Sequence, residues 1–554
     1  MPLINESRNR VLFFAGEEYP DPAEVADLKA RGHDVADNPA DYLVHFAEES
    51  ETFPKNLNGR FHGLLVDLRD SSALLFNDRY GMNRIYYHQT KDAFYFAPEA
   101  KAILAVLPHL RSADPRGLGE FVACGCVLEN RTLFRDMFAL PPGSAWTFRH
   151  GELASRELYF HPEEWESLGP LSEEDYYQEL RKVFSTNLPR YFQGRERIAV
   201  SLTGGLDTRM VLAWHKAPPN SEPSYTFGGP YGDCEDVRIA RKVAALCHQP
   251  HEVIPVGAEF LREFSRYAER AVYLSDGGAA VNRAADLYAN EIASEIAPVR
   301  MTGNYGSEIL RRLPAFKPVI PAGGLFNEEF LMEVGRAGQT YADQRSGHAV
   351  SFTAFRQAPW YQYGLLALEQ TQLTLRSPFL DNDLVRTAFR APDASMARKD
   401  IFEDNTYCSR LIADGDPALQ RIRTDRGLGG VPGSWVTPLV RGYQEFTFRA
   451  EYAYDYGMPQ WLARIDHALA PLHLERLFLG RHKFCHFRVW YRDALAGFVK
   501  EILLDSRTLK RPYINAATLE QMVIHHTRGD RNYTTEITRL LTLEFQHRLF
   551  FDAV

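Results

Sequence analysis

The stretch from Arg197 to Trp214, RIAVSLTGGLDTRMVLAW, constrains the fold more tightly than any other part of the chain. Ile198, Ala199, Val200 and Leu202 form the short apolar run of a strand buried on both faces, and Met210, Val211, Leu212 and Trp214 open a helix directly after it. Between them lie Ser201, Thr203, Gly204, Gly205, Leu206, Asp207 and Thr208. The two glycines let the backbone turn with its N–H groups inward. The N-terminus of the following helix adds partial positive charge, so the loop suits a phosphate. Ser201, Thr203 and Thr208 offer hydroxyl donors to the same oxygens. Asp207 does not belong in a bare anion site, because a carboxylate repels phosphate unless a divalent cation lies between them, and it reads as a Mg2+ ligand. An ordinary strand-turn-helix connection explains each of these residues singly, but not hydroxyls, glycines and carboxylate in one loop.

Downstream, Ser224 to Phe227 predicts a second strand, about Asp236 to Cys247 a helix, and His251 to Val256 a third strand. Val237, Ala240, Val243, Ala244 and Cys247 recur at three- and four-residue intervals, giving that helix one apolar face for a sheet. Alternation of this kind implies a parallel sheet that binds ligands at the carboxyl ends of its strands. A further strand, Pro298 to Thr302, runs into Gly303-Asn304-Tyr305-Gly306-Ser307-Glu308. Upstream the pattern differs. Apolar stretches between Arg60 and Leu104 are separated by Asp-Ser, Arg-Tyr-Gly and Lys-Asp turns, as in an antiparallel sheet, and the composition changes near residues 155 to 175. A chain of 554 residues has room for two or more cored domains.

Thr203-Gly204-Gly205-Leu206-Asp207-Thr208 resembles the pyrophosphate-binding loop of ATP pyrophosphatases, and its surroundings resemble the asparagine synthetase family. Those enzymes split ATP into AMP and pyrophosphate while activating a carboxylate as an acyl-adenylate, which an amine then attacks. In the first part of the chain, Asn77-Asp78-Arg79-Tyr80-Gly81 with Tyr86-Tyr87, Phe96-Ala97-Pro98-Glu99-Ala100-Lys101-Ala102, and Leu140-Pro141-Pro142-Gly143 resemble the second half of a class II glutaminase domain. The resemblance implies an α/β protein. Residues 1–165 are expected to form a truncated, catalytically inactive glutaminase-like antiparallel α+β domain. Residues 175–554 are expected to form a parallel-sheet ATP-pyrophosphatase domain of the adenine nucleotide α-hydrolase-like kind. In the family an N-terminal cysteine, exposed by removal of Met, attacks the glutamine amide. Here Pro2 follows Met1, the first cysteine is Cys124, and Ala15 stands where the family has an oxyanion-stabilising Asn, so no glutamine hydrolysis is expected.

The resemblance also assigns site residues. Val200, Ser201 and Tyr225 to Gly228 would border the adenosine, with Gly303 at the opposite strand end. The family places Ser-Gly-Glu-Gly-Ser-Asp-Glu at the second loop to supply another Mg2+ carboxylate. Without a gap that ligand falls on Ser307. With one inserted residue, Tyr305-Gly306-Ser307-Glu308 matches the Tyr-Gly-Ser-Asp of the β-lactam-forming branch, and the ligand is Glu308. Tyr305 would then face the acyl-adenylate as an acid/base group. Leu375-Arg376-Ser377-Pro378-Phe379-Leu380-Asp381 resembles Glu-x-Arg-x-Pro-Phe-Leu-Asp, with Thr374 in place of the glutamate; Pro378 is expected to break a helix and Asp381 to cap the next. Arg421 to Gly430 takes the place of Arg-x-Lys-x-Gly-Phe, with Asp425 in the register of the lysine and Arg423 and Arg426 on either side. Arginine holds anions but does not donate its proton, so charge stabilisation is expected there without proton transfer.

These features predict an amide-forming ligase that uses ATP and Mg2+, with a small-molecule or peptide carboxylate as one substrate. The other is an amine carried on the substrate or on a second molecule, as in β-lactam and lasso-peptide macrolactam formation, or else ammonia, free or from a separate source, with aspartate as the acid. A non-catalytic relative that binds a nucleotide or a partner is the alternative. A net charge of −9 argues against a nucleic-acid binder working through a general basic surface. There is no run of 18 apolar residues and no signal-peptide core, and the six cysteines lack paired zinc spacing, as do His525 and His526. A cytoplasmic protein with no membrane partner is expected.

Overall fold

The alternating residues of the first part build two antiparallel sheets. In the computed structural model, which describes residues 2–33, 35, 42–50, 52–392, 406–429 and 437–552, nine strands precede residue 160. They are β1 (Leu3–Ile4), β2 (Arg10–Glu18), β3 (Gly59–Asp67), β4 (Ser72–Asn77), β5 (Tyr86–Gln89), β6 (Phe94–Ala97), β7 (Phe138–Ala139), β8 (Ser144–Arg149) and β9 (Glu152–Leu158). One sheet has the order β1-β2-β3-β4-β8-β9, the other β6-β5-β7. Strand β2 pairs with β3 over its full length, from Arg10 opposite Asp67 to Glu18 opposite Gly59. The Asn-Asp-Arg-Tyr-Gly turn after β4 is organised by the buried Asp78 carboxylate, which accepts the backbone N–H groups of Tyr80, Met82 and Asn83 at 3.0, 3.1 and 2.8 Å.

After the helix Glu173–Asn187 the architecture changes to α/β. Strands β10 (Ile198–Ser201), β11 (Ser224–Gly228), β12 (His251–Pro255), β13 (Val299–Met301) and β14 (Thr374–Arg376) form one sheet of order β12-β11-β10-β13-β14, parallel throughout. The chain leaves β10 in one direction and returns on its other side. The carboxyl ends of β10 and β13 therefore flank a topological switch point, the usual ligand position in such sheets. The helix Glu235–Leu246 buries Val237, Ile239, Ala240, Val243 and Ala244 against the sheet, the face its spacing predicts.

The segment before Pro378 is a correction. It is strand β14 at the sheet edge rather than the end of a helix, paired to β13 from Val299 opposite Thr374 to Met301 opposite Arg376. A residue preceding proline is biased towards extended backbone, and three residues are too few to show a period. Asp381 does cap the helix Asn382–Phe389, accepting the N–H groups of Asp383 and Leu384.

The main apolar core runs through both architectures, joining Tyr80, Phe121 and Phe134 of the first part to Met210, Phe260 and Leu541 of the second. Two smaller clusters stay within the antiparallel part. All six cysteines are unpaired. Among the described residues no helix is long and apolar enough to cross a membrane.

Candidate functional site

Two loops meet at the switch point, and glycine sets how closely. A Cβ built on Gly303 would stand 2.7 Å from both the Asp207 Cβ and the Thr208 backbone nitrogen, and one on Gly306 would stand 2.7 Å from the Asp207 Cγ. No side chain fits at either position without moving the helix Asp207–Trp214. Between the loops lies a cavity of about 430 Å3. Ser201, Thr203, Asp207 and Thr208 line one wall, Gly303, Tyr305, Ser307 and Glu308 the other. Of the residues singled out from the sequence, the structure thus brings together Ser201, Thr203, Asp207, Thr208, Gly303, Tyr305, Ser307 and Glu308.

The remainder stand elsewhere. Gly204, Gly205 and Leu206 do not line the cavity. The Gly204 N–H donates to Asp236 Oδ1 at 2.6 Å and the Gly205 N–H to Thr203 Oγ1 at 3.3 Å, so two of the loop's donors are turned to the protein rather than inward. A carboxylate at the start of the neighbouring helix outcompetes open space for the Gly204 donor. Neither Val200 nor any residue from Tyr225 to Gly228 reaches the wall. Arg423 and Arg426 also lie outside it, and the Arg426 guanidinium stacks on Phe448 with its centre 4.0 Å from the ring. Their loop instead backs the glycine loop that follows β10: the Asp425 N–H donates to the Gly204 carbonyl at 3.3 Å, and Arg209 bonds the Ile422 carbonyl.

Electrostatically the cavity is short of positive charge on one side. Asp207 Oδ2 accepts from Ser307 Oγ at 2.7 Å and lies 3.6 Å from Arg311 Nη2, whereas Oδ1 is buried with no hydrogen-bond partner. Burial pushes the Asp207 carboxyl up. Glu308, whose Oε1 accepts from Gln362 Nε2 at 2.9 Å, is pushed up to about 7, first by burial and then by the charge of Asp207. Two carboxyls pushed up by burial on facing walls of a cavity, one of them with an orphaned oxygen, form a donor set that fits a hard divalent cation. Ser307 is the residue hydrogen-bonded to Asp207, whereas Glu308 brings a carboxylate to the wall; Glu369 lines it too, but its Oε1 is held by Arg300.

Tyr305 sits at a φ of +71°, in the left-handed region, and is buried with its phenol pushed well up by desolvation. Its charged neighbours are Arg60, which favours the phenolate, and Glu369 and Glu308, which oppose it. Arg60 comes from β3 of the antiparallel part, bonds the Leu375 carbonyl of β14, and is 7% exposed. Glu369 bonds Arg300 Nη1 at 2.5 Å, and Arg300 Nη2 in turn donates to Ser201 Oγ at 3.1 Å. Sequence reasoning missed Arg60, Arg311 and Glu369. An arginine between apolar residues in the alternating run Gly59-Arg60-Phe61-His62-Gly63-Leu64 was the available signal for the first; Arg311 carried only its one-turn spacing from Ser307.

Residues 1–160 match a family described as a glutamine amidotransferase domain. A curated relative, the glutamine-hydrolysing asparagine synthetase 2 of Oryza sativa subsp. japonica, is 26% identical over 282 residues, covering 48% of this chain and 42% of the relative. The match spans less than half of that protein's length. The chain is thus similar to a glutamine amidotransferase domain over its first part and to an asparagine synthetase over about half its length. Among solved structures, the glutamine phosphoribosylpyrophosphate amidotransferase of B. subtilis aligns at 12% identity over 46% of this chain and 48% of its own, with a TM-score of 0.21. The NMN synthetase of Francisella tularensis aligns at 13% identity over 48% of this chain and 100% of its own, with a TM-score of 0.19. At those scores the α/β assignment rests on the strand order described above.

Proposed function

We propose that this chain is an ATP- and Mg2+-dependent amide-forming ligase that activates a carboxylate as its acyl-adenylate with release of pyrophosphate. One observation carries the reading: Asp207, with its orphaned Oδ1, and Glu308 share a cavity with the hydroxyls of Ser201, Thr203 and Thr208. Asp207 and Glu308 would hold Mg2+, which when bound would offset charge on the leaving pyrophosphate. The hydroxyls of the loop donate to phosphate oxygens, and the helix Asp207–Trp214 points its N-terminus at them. Tyr305 would take or give the proton of the attacking amine, with Arg60 stabilising its ionised form. Arg283 and Arg300 are the cations in the wall, and they support the charge-balancing role better than Arg423 and Arg426 do.

Nitrogen would come from an amine or from free ammonia rather than from glutamine hydrolysed on this chain. Cys124 and Cys126 are buried, and burial pushes the first thiol up to about 12 and the second well above its ordinary value, the reverse of an activated nucleophile. The family's oxyanion Asn is replaced by Ala15. A non-catalytic nucleotide-binding role is favoured by one observation, the Arg311 guanidinium 3.6 Å from Asp207, where it supplies part of the missing positive charge.

Pyrophosphate release from ATP, screened against carboxylic acids and amines, separates the two. Ligase activity predicts acid-dependent release that falls by roughly 100-fold in Asp207→Asn and in Glu308→Gln. ATP binding without AMP formation under any condition would establish the non-catalytic role.

A further inference from the structure

Next to the phosphate-loop cavity lies a second one, of about 500 Å3, and the two share Arg283, Tyr361 and Leu365 in their walls. Segments far apart in the chain enclose it. Gly125 comes from the antiparallel part, Tyr452 and Tyr456 from a late helical segment, and Thr535, Thr538 and Arg539 from the helix Thr534–Gln546. Among the described residues the wall contains two arginines and no carboxylate.

Arg283 has a partner behind the wall, with Nη1 3.3 Å from Asp286 Oδ2. Arg539 differs. Its Nη1 donates to the Phe121 carbonyl at 2.8 Å and its guanidinium lies against the Phe121 ring, 5.6 Å from the centroid. Gly125 leaves room for it: a Cβ there would come 2.3 Å from Nη1. Among the described residues no aspartate or glutamate pairs with Arg539, and its charged-state neighbours are Tyr361, Cys126 and Cys124. Burial holds its pKa down. The side chain is part-buried and its guanidinium faces the cavity without an acidic partner, so a bound carboxylate or phosphate would supply the counter-charge through a forked, charge-assisted pair. Tyr361, Tyr452 and Tyr456 provide faces for the organic body that carries the anion.

We propose that this second cavity is a subsite for an anionic group on the acid that is activated next door, with Arg539 as the residue that binds it. The substrate class is then an organic acid bearing a second carboxylate or a phosphate. One anionic end reaches Arg539 and the carboxylate to be adenylated reaches Tyr305 across the shared wall. The proposal rests on the adenylation reading for the first cavity, but the anion subsite can be measured without it.

Equilibrium binding of succinate, glutarate, adipate and terephthalate, each beside its monoamide, and of phosphono acids of matching length tests the subsite on the full chain. The wild type should bind at least one diacid or phosphono acid roughly tenfold more tightly than the monoamide. Arg539→Gln should erase that preference with ATP affinity unchanged, and Arg539→Lys should keep part of it. The ratio between diacid and phosphono acid identifies which anion is preferred. The proposal is overturned if no doubly anionic acid outbinds its monoamide in the wild type, or if the preference survives in Arg539→Gln. Should the glutamine variant fail to fold, the wild-type comparison and the lysine variant still decide. Pyrophosphate release is followed with the same acids: preference without release would overturn the adenylation reading and leave the anion subsite standing.

Discussion

Gly303 shows what a single residue does at the meeting of the two loops. Its missing side chain lets the turn after β13 approach the backbone of Thr208, and there the obstructing atoms belong to main chain that cannot swing aside. Gly303→Ala is therefore expected to cost about 1–3 kcal/mol of stability and to displace Asp207, so that ATP affinity falls with it. A variant with unchanged melting temperature and unchanged ATP binding would show that the loops have slack. Arg60 makes a second residue-scale case. Its charge favours the ionised Tyr305 phenol, so Arg60→Met should move the tyrosine pKa further up. The alkaline limb of a pH–rate profile should then shift to higher pH, and Arg60→Lys should largely restore it; identical profiles would remove Arg60 from the mechanism. The two residues differ in how they could be read. Asp207, Glu308 and the row of hydroxyls belong to short contiguous motifs whose chemistry is local, so spacing along the chain revealed them. Arg60 acquires its role only when β3 is laid beside β14, more than 300 residues later, and no local pattern encodes that contact.

At the scale of elements, periodic segments were the legible ones. The helix Glu235–Leu246 and strands β11 and β12 lie within about a residue of the expected bounds, because their apolar faces repeat often enough to be seen. Strand β14, with three residues, offers no repeat and was hidden by the proline after it. The helix Ala516–Arg528 carries a pH dependence that follows from one buried ring. His526 is 1% exposed, and its Nδ1 accepts the Tyr533 N–H at 3.0 Å, a bond that requires that nitrogen to be unprotonated. Desolvation, aided by Arg488, holds the imidazole down at about 3 against an ordinary 6.5. The folded state therefore refuses a proton that the unfolded chain accepts. The resulting stabilisation is complete above pH 6.5 and is lost as pH falls towards 3, on the order of 5 kcal/mol at its limit. His526→Gln keeps an acceptor for Tyr533 but cannot titrate. Denaturant melts between pH 6.5 and 4 should show a flatter loss of stability in this variant than in the wild type, and parallel slopes would refute the assignment.

For the whole molecule, the composition shift near residues 155 to 175 marks a real change from antiparallel to parallel sheet, but it does not mark a boundary between independent cores. An inward-facing leucine looks the same in sequence whether it meets its own domain or the next, so the shared core was not legible. Polar contacts reinforce the junction. Arg376 of β14 pairs with Glu17 of β2 at 2.6 Å, and Asn58 Nδ2 donates to Asp381 Oδ2 at 2.8 Å, the same carboxylate that caps the helix Asn382–Phe389 and accepts from Asn187 and Tyr191. Separating the two parts would expose the faces of Tyr80, Phe121 and Phe134 to water and leave Asp381 with fewer donors. Opening the junction therefore costs much of what unfolding either side costs. Calorimetry should record one transition whose van't Hoff and calorimetric enthalpies agree, despite the size of the chain. Glu17→Gln should lower that single midpoint without splitting it, since it weakens one ion pair and leaves the apolar junction intact. Two resolved transitions in the wild type would mean that the antiparallel part holds its own stability, and the link from Arg60 to Tyr305 would then be a contact between separable units.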